Sequence, residues 1–370
     1  MSNNLLNSGS GLLRYVLGRL IRCDLMLVSL VMTLSTIGFI TLFSAGYSFP
    51  WRIEDQLRNI LVAGTVMLLF AMIPIRLLKK VSLPIFLAGC LLLLATHFFG
   101  VTVKGATRWL NVGIRIQPSE IMKLGVPLML AWYYHVRGEH VAWWDHIVAF
   151  LFLAVPVGFI LKQPDLGTAV LVAIAGFSVI FFAGLNWKVI ALGVTGVLVS
   201  LPVVWTFLYD YQRERILTLI DPTNDPLGRG FHTLQSLIAI GSGGVFGKGW
   251  MEGTQAHLDF IPERTSDFLF AVFSEEFGFV GNIVLLVLYT LLIGRSFFIA
   301  ATASSRFARL LSASIGVIFF TYTFVNMGMV SGILPVVGVP LPFMSYGGTA
   351  LLILGMCSGI LLSVGIDSEA

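Results

Sequence analysis

The chain has 370 residues, 57% of them hydrophobic and only 11% charged, with a mean hydropathy of +0.91. A soluble domain carries roughly 25% charged residues, so a water-solvated globule is excluded and lipid is the solvent that fits. The net charge of +4 says little until the charges are assigned to sides of a membrane, and Cys23, Cys90 and Cys357 show neither metal spacing nor a disulfide framework.

A helix needs ~20 apolar residues to cross a bilayer. Runs of that kind predict ten membrane-spanning helices, near 24–45, 57–74, 81–100, 119–136, 146–162, 167–184, 188–208, 267–294, 309–332 and 346–366. The first run exceeds the ~7–15 residues of a signal-peptide core and reads as a retained span. The runs are too continuous for barrel strands, and only helices satisfy their own backbone within lipid without closing a barrel. The predicted fold is therefore an all-α membrane protein, a single polytopic domain over 1–370, with one large extracytoplasmic loop at 209–266.

If the spans alternate, Arg14, Arg19, Arg22, Arg76, Lys79, Lys80, Arg137, Lys188, Arg295, Arg306 and Arg309 fall on one side. Short basic loops stay in the cytoplasm, so that side, with both termini, is predicted to be cytoplasmic. The opposite side carries Lys104, Arg108 and Arg115 in one loop and Arg213, Arg215, Arg229, Lys248 and Arg264 in another. Cations kept outside against the bias point to an anionic ligand such as phosphate; headgroup contact is the plainer alternative.

Four polar stretches sit at the outer ends of the spans. The first runs from Lys104 through Arg108 and Trp109 to Gln117-Pro118-Ser119-Glu120. Ser119 is a candidate N-cap for span four, and Glu120 and Lys123 are spaced to neutralise each other. An ionised group within a span costs at least ~2.5–3.5 kcal/mol, so pairing is expected; a helix-orienting ion pair and a ligand contact both fit. The second is Gln163-Pro164-Asp165-Leu166-Gly167-Thr168, where Asp165 could cap span six or face a ligand. The third lies in the large loop, with His232, Gln235, the Gly241–Gly244 run and Lys248, and ends at Thr265-Ser266-Asp267-Phe268. Residues 231–241 are apolar enough to lie as a helix on the membrane surface. Asp267, at the junction of loop and span eight, fits an N-cap or a partly desolvated base. The fourth is the run from Gly332 to Gly348, where Pro335, Pro340 and Pro342 preclude an ordinary helix; it is expected to be a broken, re-entrant segment lining a cavity. Ser345 lies within it. Asn326 is the main polar residue of span nine and reads as a helix–helix contact.

In this order, KGATRWL, QPSE, QPDLGT, the IAIGSGG–GKGW run, PERTSDF and LPFMSYGG resemble the signatures of the SEDS family (shape, elongation, division and sporulation) over about residues 24–366. The short N-terminal tail and Gly338-Val-Pro340-Leu-Pro342 look like its elongation branch, RodA, more than its division branch, FtsW. The resemblance implies a peptidoglycan glycosyltransferase of the cell inner membrane that polymerises lipid II. It implies that Asp267 is the catalytic carboxylate, a general base on the acceptor sugar. It also carries substrate contacts onto Arg108 and Trp109 and the intramembrane pair onto Glu120 and Lys123. Lys104, Asp165, Gln235, Lys248 and Ser345 join them as substrate-binding candidates. A divalent cation, magnesium or manganese, is an expected cofactor whose ligands the sequence does not name. A class B penicillin-binding protein is the implied partner. Two other readings stay open, a lipid II flippase and a non-catalytic scaffold for a transpeptidase; clustering of polar residues on one side favours the enzyme.

Overall fold

The structure is a computed structural model and describes residues 18–19, 21–103, 106–111, 115–208, 213–214, 217, 229–261 and 263–368. Long helices dominate. In chain order they are α1 (Leu25–Ala45), α2 (Pro50–Met72), α3 (Ile75–Phe99), α4 (Pro118–Arg137), α5 (Trp143–Lys162), α6 (Leu166–Phe182), α7 (Trp187–Phe207), α8 (Arg229–Ser242), α9 (Thr254–His257), α10 (Leu269–Thr302), α11 (Arg306–Val330) and α12 (Gly348–Ser368). A helix lies on every predicted span, and among the described residues seven helices are long and apolar enough to cross a membrane: α1, α2, α3, α5, α10, α11 and α12.

Two departures have physical causes. Between α3 and α4 the chain forms strands β1 (Val101–Val103), β2 (Ala106–Asn111) and β3 (Arg115–Ile116), antiparallel in the order β1-β2-β3, so the fold is not purely α. Strands this short pair only because the flanking helices hold their ends together. Span eight was expected to end near 294, but α10 runs to Thr302. Arg295, predicted to lie in a loop, stays helical and closes an ion pair with Asp24 at 2.7 Å.

α11 and α12 are buried over most of their length, whereas α2, α3, α5 and α10 bury a third or less of theirs. The tightest packing, α12 on α2, is made by small residues. A Cβ on Gly355 would sit 2.6 Å from the Ala63 carbonyl oxygen, and one on Gly359 2.4 Å from that of Met67. Four residues apart, the two glycines let the backbones touch, the usual solution where lipid supplies no hydrophobic drive between helices. α7 is different: nearly all its described residues are exposed, including Trp187, Leu192, Val199 and Phe207.

α10 is broken at Gly278 (φ 64°), and the glycine-rich turn after α8 fills the break. Lys248 and Gly249 N–H groups donate to the Glu275 and Glu276 carbonyls (both 3.0 Å), while Phe279 and Val280 donate to Gly244 (2.9 Å) and Val245 (3.0 Å). The backbone groups freed by the kink are thus satisfied by the loop.

Candidate functional site

Asp267 stands in the turn that leads into α10. Phe268, not Asp267, occupies the N-cap position, and its side chain makes no cap hydrogen bond. Asp267 is half-buried. Its Oδ2 lies 3.3 Å from where a Cβ on Gly338 would be, and Gly338 has φ +74°. Only a glycine lets the proline-rich segment pass this close to the carboxylate in that conformation.

That segment, 331–347, is irregular throughout, as three prolines require. Its backbone is satisfied from neighbouring helices. Asn326 Nδ2 donates to the carbonyls of Val339 (2.7 Å) and Asp267 (2.9 Å), tying the two together. Tyr289 donates to Pro342 O at 2.7 Å, and Gln56 to Ser345 O at 3.3 Å. The Tyr346 N–H donates to Thr265 O at 2.9 Å. Arg52, in the first turn of α2, donates to Thr265 Oγ1 and lies over the Tyr346 ring, 5.9 Å from its centre. Arg264 is buried and donates to Ala45 O and Ser48 Oγ, both at 2.6 Å. The turn before α10 is therefore fixed on several sides.

α8 roofs this turn. The His232 ring stacks on Phe268 with centroids 5.7 Å apart, and Ser236 donates to Val330 O at 2.8 Å. Burial holds the His232 pKa below its usual 6.5, against the opposing charge of Glu263, so the ring is neutral at pH 7. Gln235 is half-buried on the same helix. At the far end of α8, Lys248 binds the fully buried Glu275 at 2.6 Å and Thr254 at 2.8 Å. The carboxylate neutralises the cation that the sequence offered for phosphate.

The hairpin and the turn before α6 form a second group. Arg108, on β2, donates to Pro164 O at 2.9 Å and lies 3.6 Å from Asp165 Oδ2. Gln117 donates to the same oxygen at 3.3 Å. Asp165 accepts from the Thr168 N–H at 3.2 Å and so caps α6 as expected. Ser119 does not cap α4; Gln117 holds that position, and Ser119 Oγ accepts from its side chain at 3.2 Å. Trp109 is half-buried and pairs with Val101 across β1 and β2. Below, Lys123 Nζ lies 2.6 Å from Glu120 Oε1 and 2.6 Å from the Tyr322 hydroxyl, all buried.

The two groups meet on one dipeptide. Gly167 lets the Val337 carbonyl approach to 2.8 Å of a would-be Cβ, and the next residue, Gly338, faces Asp267. The proline-rich segment thus separates the Asp267 turn from the Arg108–Asp165 cluster. Ser345 points inward instead, its hydroxyl accepting the Leu341 N–H at 2.9 Å. Lys104 lies outside the described residues, as does much of 209–228. Tyr322 and Arg52, which none of the four stretches contained, lie beside these groups, as do His232 of the third stretch and Asn326, which read as a helix–helix contact. Among the described residues no group of three or more His, Cys, Asp or Glu side chains is placed to hold a metal ion.

A bundle of long apolar helices with carboxylates, arginines and irregular backbone gathered at one end defines an integral membrane protein with a polar site at a helix-end boundary. The chain belongs to the FtsW/RodA/SpoVE family, described as cell cycle proteins, whose profile matches residues 17–369. It is 43% identical over 346 residues to the peptidoglycan glycosyltransferase MrdB of Escherichia coli (strain K12), covering 93% of this chain and 94% of that one. It superposes with a TM-score of 0.81, at 32% identity and over 94% of this chain and 98% of the other, on a chain solved in work on structural coordination of polymerization and crosslinking by a peptidoglycan synthase complex. Thermus thermophilus RodA, a rod shape-determining protein, matches with a TM-score of 0.72 at 29% identity, over 94% and 98% of the two chains.

Proposed function

We propose that this protein is a peptidoglycan glycosyltransferase of the cell inner membrane that polymerises lipid II during elongation, with Asp267 as its general base. It crosses the membrane ten times, keeps both termini in the cytoplasm and holds its site on the outer face. The reading rests on family membership, on the activity by which its 43%-identical relative is named, and above all on one observation. Asp267 is a half-buried carboxylate held at the end of the bundle against an irregular segment, its Oδ2 3.3 Å from a would-be Cβ on Gly338.

A sugar hydroxyl is a weak nucleophile, and a carboxylate within hydrogen-bond reach would take its proton as the oxygen attacks the anomeric carbon of the donor. The bond from that carbon to the lipid diphosphate breaks, and the leaving group keeps the electron pair. Its charge needs cations nearby. Arg52, bound to Thr265 two residues from Asp267, and Arg108 across the proline-rich segment are the described candidates. An apolar groove of about 260 Å³ between α10 and α11, lined by Tyr289, Phe320, Phe324 and Met327, ends at Ser331 and Ile333. A polyprenyl tail lying there would leave its diphosphate where the irregular segment begins. A divalent cation would be held mainly by diphosphate oxygens and would neutralise charge, since among the described residues no cluster of carboxylates and histidines marks a metal site. A class B penicillin-binding protein is the partner in this reading, in keeping with the synthase complex that holds the neighbouring structure.

The test is polymerisation of purified lipid II by wild type and Asp267→Asn, with and without partner and chelator. Loss of a general base costs about 10²–10⁴-fold in rate, while the folded yield stays unchanged because the substitution is isosteric. Wild-type-like glycan from the variant would overturn the assignment.

A further inference from the structure

The site accounts for the cations at one end of the bundle but not for those at the other. α10 has 34 residues, so Ser304, just past its end, lies ~50 Å of helix from Asp267. There a cavity of about 730 Å³ opens between the starts of α3 and α11 and the end of α12. Arg19, Arg76, Lys79 and Asp367 are its charged lining residues. Asp367 is occupied: it pairs with Arg19 at 2.9 Å and accepts the Ile75 N–H at 3.0 Å. Among the described residues Arg76 has no carboxylate partner, and Lys79 Nζ meets only the His135 ring, at 3.2 Å. Its apolar lining is Pro74, Ile75, Phe307, Ala308 and Val364.

We propose that this cavity binds a phosphate-bearing anion, supplied by the headgroup of an anionic phospholipid of the adjoining leaflet. Among the described residues two cations without a carboxylate partner face this cavity, and basic pockets between helix ends are where anionic headgroups bind. A free phosphate shares the charge but is not concentrated at the bilayer surface as a headgroup is.

The experiment is native mass spectrometry of the full-length protein in detergent, titrated separately with phosphatidylglycerol, phosphatidylcholine and glycerol 3-phosphate. Phosphatidylglycerol is expected to bind most tightly. Its affinity is expected to fall about thirty-fold in the double variant Arg76→Gln/Lys79→Gln, the loss expected for two surface cations. Lys188→Gln, which removes an exposed cation outside the cavity lining, is expected to leave it unchanged. Circular dichroism checks that the double variant is folded. Equal binding of the two lipids, unchanged binding by the double variant, or an equal loss in Lys188→Gln overturns the proposal. Saturation by glycerol 3-phosphate at lipid-like concentrations overturns the lipid as the source.

Discussion

At the scale of single residues, the buried Glu120–Lys123–Tyr322 group separates structural worth from chemical worth. Lys123 is 3% exposed and Glu120 8%, and both lie in the opening turns of α4. Removing one member leaves a buried charge without its partner, which costs ~3–5 kcal/mol, whereas replacing both with apolar residues of similar volume is often neutral. Lys123→Met alone is therefore expected to lower the thermal transition strongly, and Glu120→Leu/Lys123→Met together to restore most of it. If the pair serves only to hold α4 against α11, polymerisation recovers along with stability. If it also touches substrate, stability returns without activity. Asn326 is a second residue of this kind. Its amide links the Asp267 carbonyl to the Val339 carbonyl of the proline-rich segment. Asn326→Ala removes two hydrogen bonds, one to a buried and one to a part-buried carbonyl, and is expected to cost about 2 kcal/mol, read as a lower thermal transition and a lower polymerisation rate.

At the scale of elements, the kink of α10 and the glycine turn after α8 form one unit. A Cβ on Gly247 would meet the Glu276 carbonyl oxygen at 2.1 Å, and one on Gly278 would meet the Gly247 nitrogen at 2.2 Å, both at positive φ. Gly247→Ala or Gly278→Ala therefore cannot be absorbed by a flexible side chain, because the clash is with backbone. Each is expected to reduce folded yield in detergent, well beyond the ~1 kcal/mol that alanine costs at a left-handed position. A surface change such as Glu252→Ala, in the same loop and exposed, should do neither. The sequence marked a glycine run here and offered Lys248 among the outer cations for an anion; the glycines serve close backbone approach, and Lys248 pairs with Glu275. The long helices were legible because a twenty-residue apolar run has few alternatives in lipid. Asp165 was legible as a cap because Asp-x-x-Thr is a local signal. The β-hairpin was not, since its strands are two to six residues long and carry Arg108 and Trp109 without clear alternation. Asn326 and Tyr322 were beyond reach for another reason: their partners, Asp267 and Lys123, are 59 and 199 residues away in sequence.

At the scale of the whole molecule, equal exposure means different things at different depths. Val199 in α7 is 73% exposed and Leu258, after α9, is 63% exposed. In water the two would be alike, and a charged substitution at either would change stability by less than ~0.5 kcal/mol. If lipid surrounds α7, an aspartate at position 199 sits well inside a span, where insertion costs ~2.5–3.5 kcal/mol. Position 258 is in the loop beyond the spans and stays wet. Val199→Asp is thus expected to cut the yield of inserted protein severalfold, and Leu258→Asp to leave it near wild type, both measured as membrane-integrated protein after carbonate extraction. The comparison also bears on why α7 exposes so much of its surface. A helix whose stability came from protein contacts would fail on any side facing the bundle, but α7 has few such contacts to lose. If lipid covers it, its place is set by the solvent, and the bilayer supplies what packing supplies to α11 and α12. Equal yields from the two variants would mean that α7 is not covered by lipid, and that its exposed face belongs to another protein or to water.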